Sequence, residues 1–312
     1  GGGEPGRLLA ASWDGAVSLI DPLRGPAAAV VGRAHHAAAA LSCCEGVSAG
    51  GTPAAVSGSL DRTVQCNDLG AEQQGNVIGR HDAAVRCVEF LREPNMVVSG
   101  GWDARVKAWD PRAGEAAPIF DVQQPGKVFA MDKSGSSGLL VGHAGRTLWL
   151  YDIRKMSEPK DERMSSNSMQ TRCVRMYEQG NCYVTGSIDG RVSVDYVDGQ
   201  LGKKHFKFKC HRVENRIYPV NAIALHPVYG TFATGGCDAK VMVWDPVNRK
   251  RVHVFPDFSN SVASLDFSAD GSQLAVAVSY TFEDGDQPSR YGGDTVVVHT
   301  LSENEVCRTK AH

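Results

Sequence analysis

Six times along this 312-residue chain an apolar run ends in a tight turn centred on Asp or Gly, and a second short run follows. The copies read AASWDGAVSLID (10–21), SGSLDRTVQCND (57–68), SGGWDARVKAWD (99–110), VGHAGRTLWLYD (141–152), TGSIDGRVSVDY (185–196) and TGGCDAKVMVWD (234–245). Their turn positions, Asp14, Asp61, Asp103, Gly145, Asp189 and Asp238, recur at intervals of 42 to 49 residues. In five copies an aspartate stands seven positions further on: Asp21, Asp68, Asp110, Asp152 and Asp245. The runs are rich in β-branched and aromatic residues, and Gly, Asp and Pro separate them, as in short strands joined by turns. A repeat of this length describes a small sheet that cannot bury its own faces and must stack on copies of itself.

The third copy resolves into four strands: VRCVEF (85–90), MVVSGG (96–101), RVKAWD (105–110) and PIFDV (118–122). A seventh unit lacks the turn Asp but keeps the runs VASLDFS (262–268), LAVAVS (274–279) and TVVVHT (295–300). VCRTKAH (306–312) is its expected fourth strand, and a polar insertion fills 280–294. Helical periodicity is absent. The predicted fold is an all-β, seven-bladed WD-repeat β-propeller, one domain over 1–312 with residues 1–6 as a low-complexity tail. The first unit opens on its second strand, RLLAASWD, so blade one is expected to lack its inner strand in this chain. Truncation is the favoured explanation, since an open propeller exposes strand edges.

Charge limits the partners. Lys and Arg number 33 against 35 Asp and Glu, a net charge of -2, which argues against direct nucleic-acid or membrane-surface binding by the chain as a whole. No apolar run is long enough to span a membrane, and GGGEPG lacks the apolar stretch of a signal peptide. Nine scattered cysteines without a CxxC pair suggest a reducing compartment and no zinc site. His35, His36, Cys43 and Cys44 are the one group resembling metal ligands. Neighbours on a strand face opposite ways, so these adjacent pairs do not converge on one ion, and no metal or cofactor is expected. His81, Ser99, Asp103 and Trp109 could be mistaken for a catalytic Ser-His-Asp set. Their spacing is instead that of the buried hydrogen-bonded tetrad of a WD-repeat blade, a structural role. With no nucleophile elbow and no other convergent acid, base and nucleophile, the chain is not expected to be an enzyme.

One local stretch departs from this neutrality. KKHFKFKCHR (203–212) holds four lysines, an arginine and two histidines. Strand alternation puts Lys203, His205, Lys207, Lys209 and His211 on one face, with Lys204, Phe206, Phe208, Cys210 and Arg212 on the other. By blade order this is the outermost strand of blade five. Lysines keep an exposed edge soluble; cations on a rigid element also suit phosphate or carboxylate recognition. Arg172 in QTRC and Arg191 in DGRV, on the same unit, favour the second reading through their planar forks. Trp13 and Trp102 each precede a turn Asp, a slot filled elsewhere by Leu60, Ile188 and Cys237. Folding does not require Trp there, and Trp and Arg are enriched in binding hot spots.

With these residues in place, the chain resembles the Bub-type spindle-checkpoint propellers. The likeness rests on SWDGAVSLID, GRHDAAVRCVEF, GGWDARVKAWDPR, VGHAGRTLWLYDIRKM, QTRCVR, GSIDGRVSVDY, FKFKCHR and IYPVNAIALHP, in that order along nearly the whole chain. The resemblance implies a non-enzymatic mitotic adaptor of the nucleus and kinetochore, with a cytoplasmic pool. Its implied partners are the GLEBS segment of a checkpoint kinase or pseudokinase, and phosphorylated Met-Glu-Leu-Thr repeats of a kinetochore scaffold. It assigns Trp13, Trp102, Arg172 and Arg191 to the GLEBS segment, and Lys209, Lys204, Lys207, Arg212 and Lys203 to the phosphothreonine. The alternative is the sister propeller of nuclear messenger-RNA export, whose partner is a nucleoporin GLEBS segment.

Overall fold

A computed structural model describes residues 6–25, 29–68, 73, 74, 76–135, 137–197, 205–287, 289 and 293–308. Nearly every regular element is a β-strand, and the strands assort into seven successive antiparallel blade sheets. The chain divides into two compact units, Gly1–Arg163 and Met164–His312.

The first unit carries four blades. Blade one pairs Leu8–Ala11, Ala16–Ile20 and Val30–His35, and Gln73–Gln74 adds a short parallel rung beyond the third strand. Among the described residues no strand pairs with the free edge of Leu8–Ala11. Blade two is Ala40–Val47, Pro53–Ser59, Thr63–Asn67 and Val77–Arg80. Blade three is Val85–Leu91, Met96–Gly101, Arg105–Trp109 and Phe120–Gln123, close to the bounds read from the repeat. Blade four is Val128–Ser134, Gly138–His143, Thr147–Asp152 and Asp161–Met164.

The second unit carries three. Blade five is Thr171–Met176, Cys182–Ser187, Arg191–Tyr196 and Phe206–Lys209. Blade six is Val220–Leu225, Phe232–Gly236, Val241–Asp245 and Lys250–Val254, and a small hairpin, Arg212–Val213 with Arg216–Ile217, precedes it. Blade seven has Val262–Phe267, Gln273–Val278 and Thr295–Thr300. The expected fourth strand, VCRTKAH (306–312), begins on the last residue of a one-turn helix, Glu303–Val306, and its residues 309–312 lie outside the described residues. Ser302 and Glu305 close a capping box on the helix, with Glu305 Oε2 accepting from the Ser302 N–H at 2.7 Å. Sheets that repeat at this period make the fold class a seven-bladed WD-repeat β-propeller.

Side chains between successive blades form the cores. Val56, Val64, Ile78, Val85, Phe90 and Trp109 bury one seam between blades two and three, and Val98, Val106, Val128, Leu139 and Tyr151 the next. In blades two, three, five and six a glycine of the second strand makes room for a valine opening the following blade. A Cβ at Gly58 would lie 2.6 Å from Val85, one at Gly100 2.6 Å from Val128, and one at Gly235 2.4 Å from Val262. Gly186 stands in the same relation to Val220, at 2.8 Å. These distances are too short for any side chain, so the glycines are packing requirements.

Candidate functional site

The repeated turn aspartate has a local job that explains its spacing. Asp14, Asp61 and Asp103 each accept from the backbone N–H two residues on, at 2.9, 2.9 and 3.2 Å. The residue after each, Gly15, Arg62 and Ala104, has φ of 88°, 73° and 59°, a left-handed turn that this Asx bond stabilises.

In blade three the same carboxylate also ends a buried chain of donors. Trp109 can only donate, and its Nε1–H meets Ser99 Oγ at 2.8 Å. The Ser99 hydroxyl then donates to His81 Nε2 at 2.8 Å, and His81 Nδ1–H donates to Asp103 at 2.9 Å. Burial pushes the Asp103 carboxyl up, but the His81 hydrogen bond and the Asp82 amide outweigh it and hold the group below its usual range. The set is sealed: Ser99 is fully buried and His81 nearly so, which leaves no room for a substrate.

Two further sets of this kind emerge. In blade two, His36 Nε2 meets Ser57 Oγ at 2.8 Å while Nδ1 faces Asp61 at 3.2 Å, with Asn67 in the Trp slot. His36 is thus committed to the blade, and burial lowers its pKa although Asp61 works the other way. In blade six, Trp244, Thr234, His211 and Asp238 make the full set, at 3.0, 2.9 and 2.7 Å. This corrects the expected comb of cations, because His211 is buried, has φ of 44°, and leaves the strand alternation altogether. The signal was present in sequence as a His 27 positions before a turn Asp, against 22 in blade three. Among the described residues no group of three His, Cys, Asp or Glu could hold a metal. Burial drives the Cys66 thiol up to about 11 and the Cys210 thiol higher still, which leaves both inert.

Blade five is built differently. Asn167 takes the histidine's place, donating to Thr185 Oγ1 at 3.0 Å, and Ser193 takes the tryptophan's side of the chain, 2.8 Å from Thr185. Ser193 donates to the buried Asp195 at 2.7 Å, and Ser166 donates to the other oxygen at 2.5 Å. The turn aspartate, Asp189, is left to bind Arg191 Nε at 2.8 Å, with Ser187 on its second oxygen at 2.5 Å.

The outer strand lies directly beside this arginine. Arg191 pairs across the ladder with Lys209, Val192 with Phe208, and Ser193 with Lys207. Lys207 and Lys209 are exposed; Phe206 and Phe208 are half-buried, stacked at 6.2 Å, with Phe208 4.5 Å from Trp244. The aromatic face fixes the strand, and Arg191 and Lys209 share its other face. Lys207 Nζ donates to Ser166 O at 3.0 Å, whereas Lys209 has no hydrogen bond or ion pair among the described residues. Arg172 makes none either, and it is half-buried on the first strand of the same blade. Arg212 does not extend the row. It is half-buried, its Nη2 donates to Asp189 O at 2.9 Å, and its Nε is covered without an acceptor. Lys203 and Lys204 lie outside the described residues.

In the first unit the two turn tryptophans differ. Trp13 is 73% exposed. Trp102 is half-buried, 6.1 Å from Phe129 in a tilted ring contact, with Lys127 Nζ 5.9 Å above its ring. No described helix is long and apolar enough to cross a membrane.

Comparison with known proteins adds a lineage to this geometry. The family model described as "WD domain, G-beta repeat" matches residues 73–110 and 202–245. The chain is 40% identical to the mitotic checkpoint protein BUB3.1 of Arabidopsis thaliana, over 96% of this chain and 87% of the relative. It is 41% identical to the mitotic checkpoint protein bub-3 of Caenorhabditis elegans, over 80% of this chain and 74% of the relative. A poly(A)+ RNA export protein of Schizosaccharomyces pombe is 30% identical, over 96% of this chain and 85% of the relative.

Proposed function

The chain belongs to the Bub3 family of mitotic checkpoint WD40 proteins, and from that premise we propose that it is a non-enzymatic adaptor for acidic and phosphorylated peptides. The observation that carries the reading is the cationic row of blade five, where exposed Lys209, without a partner among the described residues, pairs across the ladder with an arginine pinned by Asp189. An arginine whose fork is pre-set loses little freedom on gripping a carboxylate, and a neighbouring ammonium adds charge.

In this reading the GLEBS segment of a checkpoint kinase or pseudokinase supplies the carboxylates. Arg172 and Arg191 receive them in the second unit, and Trp13 and Trp102 give apolar contact in the first. A phosphorylated Met-Glu-Leu-Thr repeat of a kinetochore scaffold is held by Lys207 and Lys209, with Lys203 and Lys204 contributing from the same stretch. Arg212 braces the blade-five turn and reaches the phosphate only indirectly. Phosphorylation adds about 1.5 to 2 negative charges and three acceptors, which makes docking switchable by a kinase. The working sites of such an adaptor are the nucleus and kinetochore, with a cytoplasmic pool, and it requires neither a cofactor nor nucleic acid.

Calorimetric titration tests this directly with a GLEBS-type peptide and a Met-Glu-Leu-Thr peptide, the latter with and without phosphate. The phosphorylated form is expected to bind at least tenfold more tightly, and equal affinities defeat the phosphate claim. The similarity to an RNA-export protein keeps a second partner class in play. Recovery of a nucleoporin, in place of a checkpoint kinase, from a pull-down favours export.

A further inference from the structure

Blade six makes two of its turns at one end of its sheet. The ladder sets Leu225 opposite Phe232, Phe232 opposite Trp244 and Trp244 opposite Arg251, so the turns at 226–231 and 246–249 emerge side by side. They lie two strand spacings apart, about 10 Å. Each carries a Pro-Val pair, and the valines are exposed, Val228 by 65% and Val247 by 61%. Both turns are pinned from below. Buried His226 accepts through Nδ1 from the Val228 and Tyr229 amides at 3.2 and 3.1 Å, while its Nε2–H donates to Gly271 O. Buried Asp245 accepts from the Val247 and Asn248 amides at 2.9 and 3.1 Å.

A single exposed valine needs no explanation, but two on adjoining rigid turns make an apolar ridge held out to solvent. A cation stands beside each valine. Lys250 leaves the second turn opposite Asp245. Arg308 reaches the first turn, where a Cβ at Gly230 would lie 2.5 Å from its Nη2. Both are exposed, and neither has a carboxylate partner among the described residues. Glu303, the neighbouring acid, accepts from Tyr229 Oη–H at 3.2 Å.

We propose that this end of blade six docks an acidic amphipathic helix of a partner protein. Apolar residues at i and i+7 of a helix stand about 10.5 Å apart on one face, which matches the two valines. An extended strand repeats one face at about 6.6 and 13 Å and fits neither way. Carboxylates flanking the apolar stripe meet Lys250 and Arg308, which selects an acidic helix over a basic one. The surface goes beyond the peptide reading and does not depend on it. Arg172, Arg191 and Lys209 flank the blade-five turn at Asp189, whereas this ridge lies at the end of blade six away from its own turn at Asp238.

The test uses the whole chain and two synthetic helical peptides with the same leucine stripe, one flanked by glutamates and the other by lysines. Fluorescence anisotropy is expected to show the acidic peptide binding at least tenfold more tightly. Val247→Asp weakens it at least tenfold and Lys250→Glu about fivefold, while Val247→Leu retains it. These side chains are exposed, so the melting temperature of each variant stays that of wild type. In protein with isotope-labelled valine methyls, the Val228 and Val247 signals, assigned by their absence in Val228→Thr and Val247→Thr, shift together on binding.

Equal binding of the two peptides, or binding of neither, overturns the proposal. So does a Val247→Asp chain that binds the acidic peptide as tightly as wild type. Loss of binding in Lys207→Ala and Lys209→Ala, with Lys250→Glu normal, moves the acidic helix to blade five and removes this site. Dimers in sedimentation that vanish in Val247→Asp replace the partner helix with a second copy of this chain.

Discussion

Blade three and blade five share a turn aspartate at the same place in the repeat, yet spend it on different tasks. Asp103 closes a buried chain through His81, Ser99 and Trp109. Asp189 has no histidine to receive, because Asn167 stands in that position, and it grips Arg191 beside an exposed lysine instead. The polar interior of blade five is still satisfied, through Thr185, Ser193, Asp195 and Ser166. A cheaper hydroxyl ladder thus keeps the sheet together while the turn carboxylate is reassigned to the surface. Substitution of one framework residue is therefore a marker of where a blade has acquired an outward role.

The contrast can be broken most decisively by removing each aspartate. Asp103→Ala strands buried His81, and a loss of about 3 kcal/mol is expected in urea unfolding. Asp189→Ala releases the partly exposed Arg191 and leaves buried Ser187 the Arg191 carbonyl as acceptor, so about 1 kcal/mol or less is expected, together with weaker peptide binding. Equal stability losses from the two would end the distinction. Acid gives a second handle, also on the order of 3 kcal/mol. His143 in blade four is buried between Gln124 and Thr147, and burial lowers its pKa from 6.5 to about 4. The unfolded chain then takes up the proton first. Stability is full above pH 6.5 and falls as the pH drops toward about 4. His36 is shifted the same way by burial, whereas the histidine of blade five, His205, is 56% exposed. Hydrogen exchange between pH 7 and 4.5 is expected to rise earlier in blades two and four than in blade five, and His143→Gln removes the blade-four part.

A smaller effect concerns packing alone. Gly100→Ala forces a Cβ to 2.6 Å from Val128, and overpacking of about 1–3 kcal/mol is expected in thermal unfolding. The least costly change is Lys209→Ala. The melting temperature should not move, but phosphopeptide affinity should drop about threefold to tenfold, less at high salt. A fall in melting temperature comparable to that of Gly100→Ala would make Lys209 part of the framework after all.

Much of this was legible because the repeat prints turn aspartates and strand lengths directly. Thr295–Thr300 and the blade-three strands lie where the runs place them. Three features escaped for identifiable reasons. His211 sits in a left-handed bend, so alternation extended through it assigns the wrong face. The helix at Glu303–Val306 escaped because four residues are too few to show a helical period, although Ser302 and Glu305 already spelled its cap. The tryptophans before Asp14 and Asp103 look equivalent in sequence, and only packing against Phe129 and Lys127 separates half-buried Trp102 from exposed Trp13. The cations of blade five were visible as composition; their pinning by Asp189 was not, since it depends on a residue absent from the tetrad elsewhere.

The glycine-to-valine contacts at the blade seams carry an implication for how such chains change length. Gly58, Gly100, Gly186 and Gly235 each accept a methyl from the repeat that follows. Inserting or deleting one residue in either partner strand would slide a side chain into that notch and disengage both neighbours. Tolerated indels should therefore cluster in connecting loops, or arrive as whole repeats, so that growth of the family proceeds in integer steps.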